Sequence, residues 1–120
     1  MSTLPPSTGA AAPARRTADV KILATLDLGH DIPELAGKEL RLQLTTYAPG
    51  GANLPHSHAG KVEAVYALAG AITECHGDGR IVTHHPGDAF TANKDTFHHM
   101  ENNGAVPAQM IVAMIVDKPR

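Results

Sequence analysis

The sequence predicts a small all-β barrel or sandwich, and three observations predict it. Glu39 to Tyr47 alternates with a period of two, with Leu40, Leu42 and Leu44 on one face and Arg41, Gln43 and Thr45 on the other. Clusters of Gly, Pro, Asn and Asp recur at short intervals and leave roughly eight strand-length segments between them. The composition is 42% hydrophobic but only 3% aromatic, with no Trp, so Val, Ile, Leu and Ala must fill the interior. At 120 residues the chain is one domain with a modest core.

The elements follow in order. Residues 1–18 are rich in Ala, Pro, Ser and Thr, carry Arg15-Arg16, and read as a disordered tail. Residues 19–120 form the barrel domain. Val20 to Leu28 is a first apolar strand, followed by a loop through Gly29-His30-Asp31-Ile32-Pro33. Glu34-Leu35-Ala36 has room for one helical turn. Glu39 to Tyr47 is the second strand, ended by Ala48-Pro49-Gly50-Gly51, where Pro presets φ and Gly accepts positive φ. Val62 to Ala69 is the next long strand and Gly70 breaks it. Ala71 to His76 and Arg80 to His85 flank Gly77-Asp78-Gly79, a hairpin signal. Pro86-Gly87-Asp88 turns into Ala89 to Ala92, Asn93-Lys94-Asp95 turns into Phe97-His98-His99, and Asn102-Asn103-Gly104 leads through Pro107 to the last and most apolar strand, Ala108 to Val116.

Composition excludes several functions. A net charge of −2 gives no basic footprint for nucleic acid. No apolar run approaches the roughly 18 residues of a membrane span. The single cysteine, Cys75, forbids an intramolecular disulfide and argues against a zinc site built from several cysteines. Met1 to Arg16 lacks the continuous apolar stretch of a secretory signal, so the expected location is cytoplasmic.

The chemistry concentrates in two segments. His56 and His58 are two apart and share a face of an extended strand, and Glu63 follows after a bend made possible by Ala59-Gly60. Phe97-His98-His99 offers a fourth ligand. Imidazole nitrogens plus one carboxylate suit a borderline divalent ion, and four protein ligands leave positions open on a five- or six-coordinate metal.

These segments resemble the cupin superfamily. Its first motif is matched by Gly50, His56, His58, Glu63 and Gly70, and its second by Gly87, His98 and Asn102, with Asn93 and Asp95 where the second motif has Pro and Gly. The count from Gly87 selects His98 over His99, although Asn103 stands four after His99 just as Asn102 does after His98. The resemblance is to small single-domain proteins, a mixed set that includes a quercetin-dioxygenase-like group, and implies a jelly-roll (double-stranded β-helix) barrel, often a homodimer. It also implies one divalent transition metal ion (Fe, Mn, Ni, Cu or Zn) on His56, His58, Glu63 and His98, and a small-molecule ligand.

Other candidates take plainer roles. His99 falls on the opposite strand face from His98. His84, His85 and His76 gather near the hairpin with no carboxylate at matching spacing, so no second site is expected of them. His30 is a loop residue and Cys75 a small core residue. For the second strand, the commoner arrangement puts the leucines in the core and Arg41, Gln43 and Thr45 in water. The alternative turns the polar face toward a ligand. Tyr47, Phe90 and Phe97 are candidate pocket aromatics, and Met100, Met110 and Met114 fill core gaps or line the pocket.

Three functions fit. One is a dioxygenase-like metal enzyme acting on a small oxygenated organic molecule, with Glu63 as ligand and proton acceptor. A second is a redox-neutral isomerase, lyase or decarboxylase using the metal as a Lewis acid. The third binds a small molecule or a metal without turnover.

Overall fold

A computed structural model describes residues 18–119. The expected tail, apart from Ala18, lies outside the described residues. Nine strands follow in chain order: β1 (Asp19–Asp27), β2 (Lys38–Tyr47), β3 (His56–Ser57), β4 (Glu63–Ala69), β5 (Ile72–His76), β6 (Ile81–His84), β7 (Ala89–Ala92), β8 (Phe97–Glu101) and β9 (Ala108–Asp117). A single helical turn, α1 (Leu28–Asp31), and a 3-10 turn (Pro33–Leu35) join β1 to β2. Asp27 caps α1 by accepting from the Gly29 N–H at 3.1 Å, so the expected loop closes into a turn.

The strands form two antiparallel sheets, ordered β1-β2-β9-β4-β7 and β3-β8-β5-β6. From β2 onward the chain crosses repeatedly from one sheet to the other, and only the β5–β6 hairpin stays within a sheet. This is the jelly-roll, double-stranded β-helix expected of the chain. The β2–β9 ladder runs unbroken from Lys38↔Asp117 to Tyr47↔Ala108 and forms the spine of the larger sheet. Among the described residues no helix is long and apolar enough to cross a membrane.

Between the sheets, Tyr47, Val65, Ile72, Met100, Ala108, Met110 and Val112 make the buried core. The histidine-bearing end of the barrel lies beside this cluster. Two of the residues that the sequence motifs carry, Asn102 and Gly70, turn out to hold the chain together. Asn102, fully buried, donates from Nδ2 to the carbonyls of Tyr47 (2.9 Å) and Val106 (2.8 Å) and accepts from the Gly104 N–H (2.9 Å). Asn103 is exposed, which resolves the ambiguous motif count in favour of Asn102. Gly70 turns the chain at φ +68°, and a Cβ there would stand 2.3 Å from the Pro107 carbonyl oxygen, inside backbone that cannot swing away. Gly70→Ala is expected to lower unfolding free energy by at least about 2 kcal/mol in urea denaturation, because a strained φ and a backbone clash coincide.

Three side-chain expectations are overturned. Leu40 and Leu42 of β2 lie on the outer face, each 37% exposed, while Gln43 and Thr45 are buried. The inner face of this sheet looks onto a polar-lined cavity, so the polar stripe belongs inside and the leucines clothe the exterior. Arg41 does not enter the cavity but donates to Glu39 Oε2 from Nε (3.2 Å) and Nη2 (3.1 Å). Cys75 is half-buried outside the core, because alternation along β5 sends Ile72 and Glu74 inward and Thr73 and Cys75 outward. By the same rule Phe97, 51% exposed, stays out of the barrel cavity.

Candidate metal centre

His56 and His98 face each other directly across the β3–β8 pairing. His58 follows β3 at once and is anchored to the same neighbourhood by its N–H, which donates to the Thr96 carbonyl at 3.0 Å. The turn before β8 survives without the Pro and Gly of the motif. Asn93 Oδ1 accepts from the Asp95 N–H (2.9 Å), and Thr96 Oγ1 accepts from the Asn93 N–H (3.0 Å), so side chains do the work of the missing residues. After His58 the chain reverses in a tight turn, with the Lys61 N–H donating to the His58 carbonyl at 3.0 Å and Gly60 at φ +80°. That reversal delivers Glu63 as the first residue of β4.

The three rings meet edge to face, with every pair of centroids 4.8 Å apart and interplanar angles of 65°, 71° and 89°. One nitrogen from each lies within 4.8 Å of the others. His56 Nε2 and His58 Nε2 are 3.0 Å apart. Adjacent donor atoms around one ion with bonds of ~2.1 Å stand about 3 Å apart, so the spacing fits a shared cation.

The outward nitrogens settle which atoms carry the protons. His56 Nδ1 lies 2.7 Å from the Leu54 carbonyl and His58 Nδ1 lies 2.6 Å from the Lys61 carbonyl. A carbonyl oxygen only accepts, so both Nδ1 atoms must be N–H donors. His98 Nδ1 likewise donates to Glu74 Oε2 at 2.6 Å. With Nδ1 of all three rings turned to a hydrogen-bond acceptor, Nε2 is the nitrogen each ring has left to offer a shared ion. Burial pushes the pKa values of His56 and His58 below the usual imidazole range, which keeps Nε2 of both rings free of protons. The donor set therefore fits a divalent transition ion.

Glu63 stands beside this triangle, its Oε2 3.5 Å from His58 Nε2. Burial raises its carboxyl to about 7, a rise that the Glu74 charge assists and that His98 and Lys61 oppose. The cavity in front of the histidines measures about 260 Å³. Its polar wall includes Gln43, Thr45, Tyr47 and Asn53, and its apolar wall includes Phe90, Met100, Met110, Val112 and Met114. Gln43 Nε2 donates to Thr45 Oγ1 (3.1 Å), and Asn53 Nδ2 donates to the Tyr47 hydroxyl oxygen (3.0 Å). Burial, then the nearby Glu63 charge, drives the Tyr47 hydroxyl pKa upward, so it remains a neutral phenol.

Glu74 has no counterpart in the sequence-based expectations. It is buried on β5 and accepts from His98 Nδ1 on one oxygen and from His84 Nε2 (2.8 Å) on the other, with His76 Nε2 3.3 Å away. The expectation that no carboxylate accompanies His76 and His84 is therefore wrong: Glu74 is that carboxylate. Burial alone would raise its pKa, but the hydrogen bonds from His98 and His84 and the nearby His76 prevail and hold it at about 2. His84 in turn stacks on Phe90 with centroids 3.8 Å apart and planes 12° from parallel, linking the network to the cavity wall. The inward alternation of Ile72, Glu74 and His76 was the sequence signal for it.

The chain is thus a jelly-roll barrel with three histidines gathered at one end of its interior cavity. A family model described as "Cupin domain" matches residues 43–114, and the chain belongs to the cupin family. It is 36% identical over 90 residues to germin-like protein subfamily 2 member 1 of Arabidopsis thaliana, a match that takes in 68% of this chain and 39% of that protein. The chain thus spans about two fifths of the length of such curated relatives. Among solved structures it resembles a sugar phosphate isomerase from Silicibacter pomeroyi (26% identity, TM-score 0.59, 79% of this chain and 59% of the other). It also resembles an oxalate oxidase (20% identity, TM-score 0.59, 85% of this chain and 55% of the other), a likeness of fold alone.

Proposed function

We propose that the chain is a metal-dependent enzyme that holds one divalent transition ion on His56, His58, Glu63 and His98 and acts, in dioxygenase-like fashion, on a compact oxygenated organic molecule. The observation that carries this reading is the set of three Nδ1-anchored imidazoles with one nitrogen of each ring within 4.8 Å of the others. The ion, when bound, supplies Lewis acidity and, for Fe, Mn, Ni or Cu, one-electron chemistry toward O2. The protein supplies the rest. At about 260 Å³ the cavity falls just below the usual range of ligand pockets (roughly 300–1,000 Å³), which favours a compact substrate over a flavonoid-sized one. Gln43, Thr45 and the Tyr47 hydroxyl offer neutral hydrogen-bonding groups to orient substrate oxygens, while the methionine wall excludes water. Glu63 Oε2 is the atom placed to hold or accept a proton beside the reacting groups.

A redox-neutral isomerase or lyase is the second reading. The likeness to a sugar phosphate isomerase favours it, as does a cavity wall of three oxidisable thioethers, Met100, Met110 and Met114. Oxygen uptake separates the two. Protein loaded with Fe, Mn or Ni is expected to consume O2 with small diketones or hydroxy acids; conversion of substrate without O2 uptake selects the redox-neutral chemistry. Absence of any turnover across the panel contradicts both enzymatic readings.

Metal uptake should also be proton-linked. Glu63, which holds its proton below about pH 7, would have to release it to serve as a ligand. Apparent zinc affinity is therefore expected to weaken as pH is lowered from about 8 to about 6, and isothermal titration in buffers of different ionisation enthalpy should register proton release at the lower pH. A pH-independent affinity would remove Glu63 from the ligand set.

A further inference from the structure

The outer face of the smaller sheet carries a second constellation. Cys75 on β5 lies directly across the ladder from His99 on β8, and Glu101 follows His99 by two residues, so all three side chains leave the same face. Their ligand atoms lie within 4.8 Å of one another, and all three residues are half-buried. His99 Nε2 is 2.8 Å from Glu101 Oε2. The other Glu101 oxygen accepts from Asn103 Nδ2 at 3.1 Å, an outer partner that orients the carboxylate. Ile81 stands opposite Cys75 on β6, and Phe97 precedes His99 by two, so apolar side chains flank the cluster.

We infer that Cys75, His99 and Glu101 form a second metal site, separate from the barrel interior and selective for a thiophilic divalent ion such as Zn(II). A thiolate, an imidazole and a carboxylate make a donor set that favours zinc, cobalt or nickel over magnesium, calcium or manganese. Donor atoms around a tetrahedral ion with bonds of ~2.0–2.3 Å stand about 3.5 Å apart, so small side-chain rotations within the 4.8 Å cluster complete the site. Three protein ligands leave the fourth position to water, as in open zinc sites. His98 and His99 are neighbours in sequence but leave β8 on opposite faces, so one strand serves two sites with different chemistry: three nitrogens and an oxygen inside, and sulfur, nitrogen and oxygen outside.

Anaerobic Co(II) titration of the reduced full-length protein distinguishes them, because only the outer site offers a thiolate. The wild type is expected to bind two equivalents and to develop a near-ultraviolet thiolate-to-cobalt charge-transfer band. Cys75→Ser should bind one equivalent and lose the band. His58→Ala should bind one and keep it, so failure of the barrel site and failure of this one give different results. A wild type without the band, or a band that survives in Cys75→Ser, overturns the inference. Should Cys75→Ser fail to fold, alkylation of the wild-type thiol decides: Zn(II) is expected to slow iodoacetamide at least about tenfold, and an unchanged rate overturns the site.

Discussion

His58→Ala is expected to lower metal affinity of the barrel site by more than about 100-fold while leaving the jelly roll folded. Loss of a partner behind a ligand already costs roughly 10–100-fold, and removal of the ligand itself should exceed that. His58 is the central donor of the set, 3.0 Å from His56 Nε2 and 3.5 Å from Glu63 Oε2. The fold should survive because its core, from Tyr47 to Val112, contains none of the three histidines. Zinc titration and thermal unfolding of the metal-stripped protein check both halves. Full metal retention would refute the ligand assignment, and an unfolded variant would make this end of the barrel structural.

Glu74→Gln should have the second largest effect, and on two properties at once. The carboxylate accepts from both His98 and His84, whereas an amide has one accepting oxygen and one donating nitrogen. If the amide nitrogen faces His98, that ring must move its proton to Nε2, aiming it where an ion would bind. Metal affinity should fall roughly 10–100-fold with His56, His58 and His98 all still present. Stability should change as well, and its pH dependence carries the signature. The Glu74 carboxyl is held at about 2 in the folded chain against an ordinary value of 4.5. A lowered folded pKa means a contribution fully present above about 4.5 and lost as pH falls toward 2. The wild type should therefore lose stability steeply across that window, and Glu74→Gln should start lower and lose less. Parallel urea-denaturation profiles for the two proteins across this range would show that Glu74 is not the buried anion described here.

The strands and the candidate ligand pattern were legible in the chain because both are local. Period-two alternation and Gly- or Pro-rich turns report strand limits directly, and His56, His58, Glu63 and His98 stand at fixed spacings within short segments. What stayed hidden depended on pairing across the sheets. Alternation in β2 separates Leu40 and Leu42 from Gln43 and Thr45 but does not say which set faces inward. That choice follows from the cavity the sheet encloses, and the usual preference for buried leucines pointed the wrong way. Glu74 was overlooked for the same reason, since its partners His98 and His84 come from β8 and β6, and only the ladder register brings them to one carboxylate. Cys75 was expected in the core, yet its place opposite His99 puts it outside.

The protonation pattern of the histidines is the feature on which the functional account rests, and long-range 15N–1H correlation NMR reads it directly. In metal-stripped protein near neutral pH, His56, His58 and His98 should all carry a proton on Nδ1, and the rings of His56 and His58 should be neutral. One equivalent of Zn(II) should then shift all three Nε2 resonances together. A ring protonated on Nε2 alone among the three, or zinc that leaves those nitrogens unmoved, would contradict the assignment of a common metal centre.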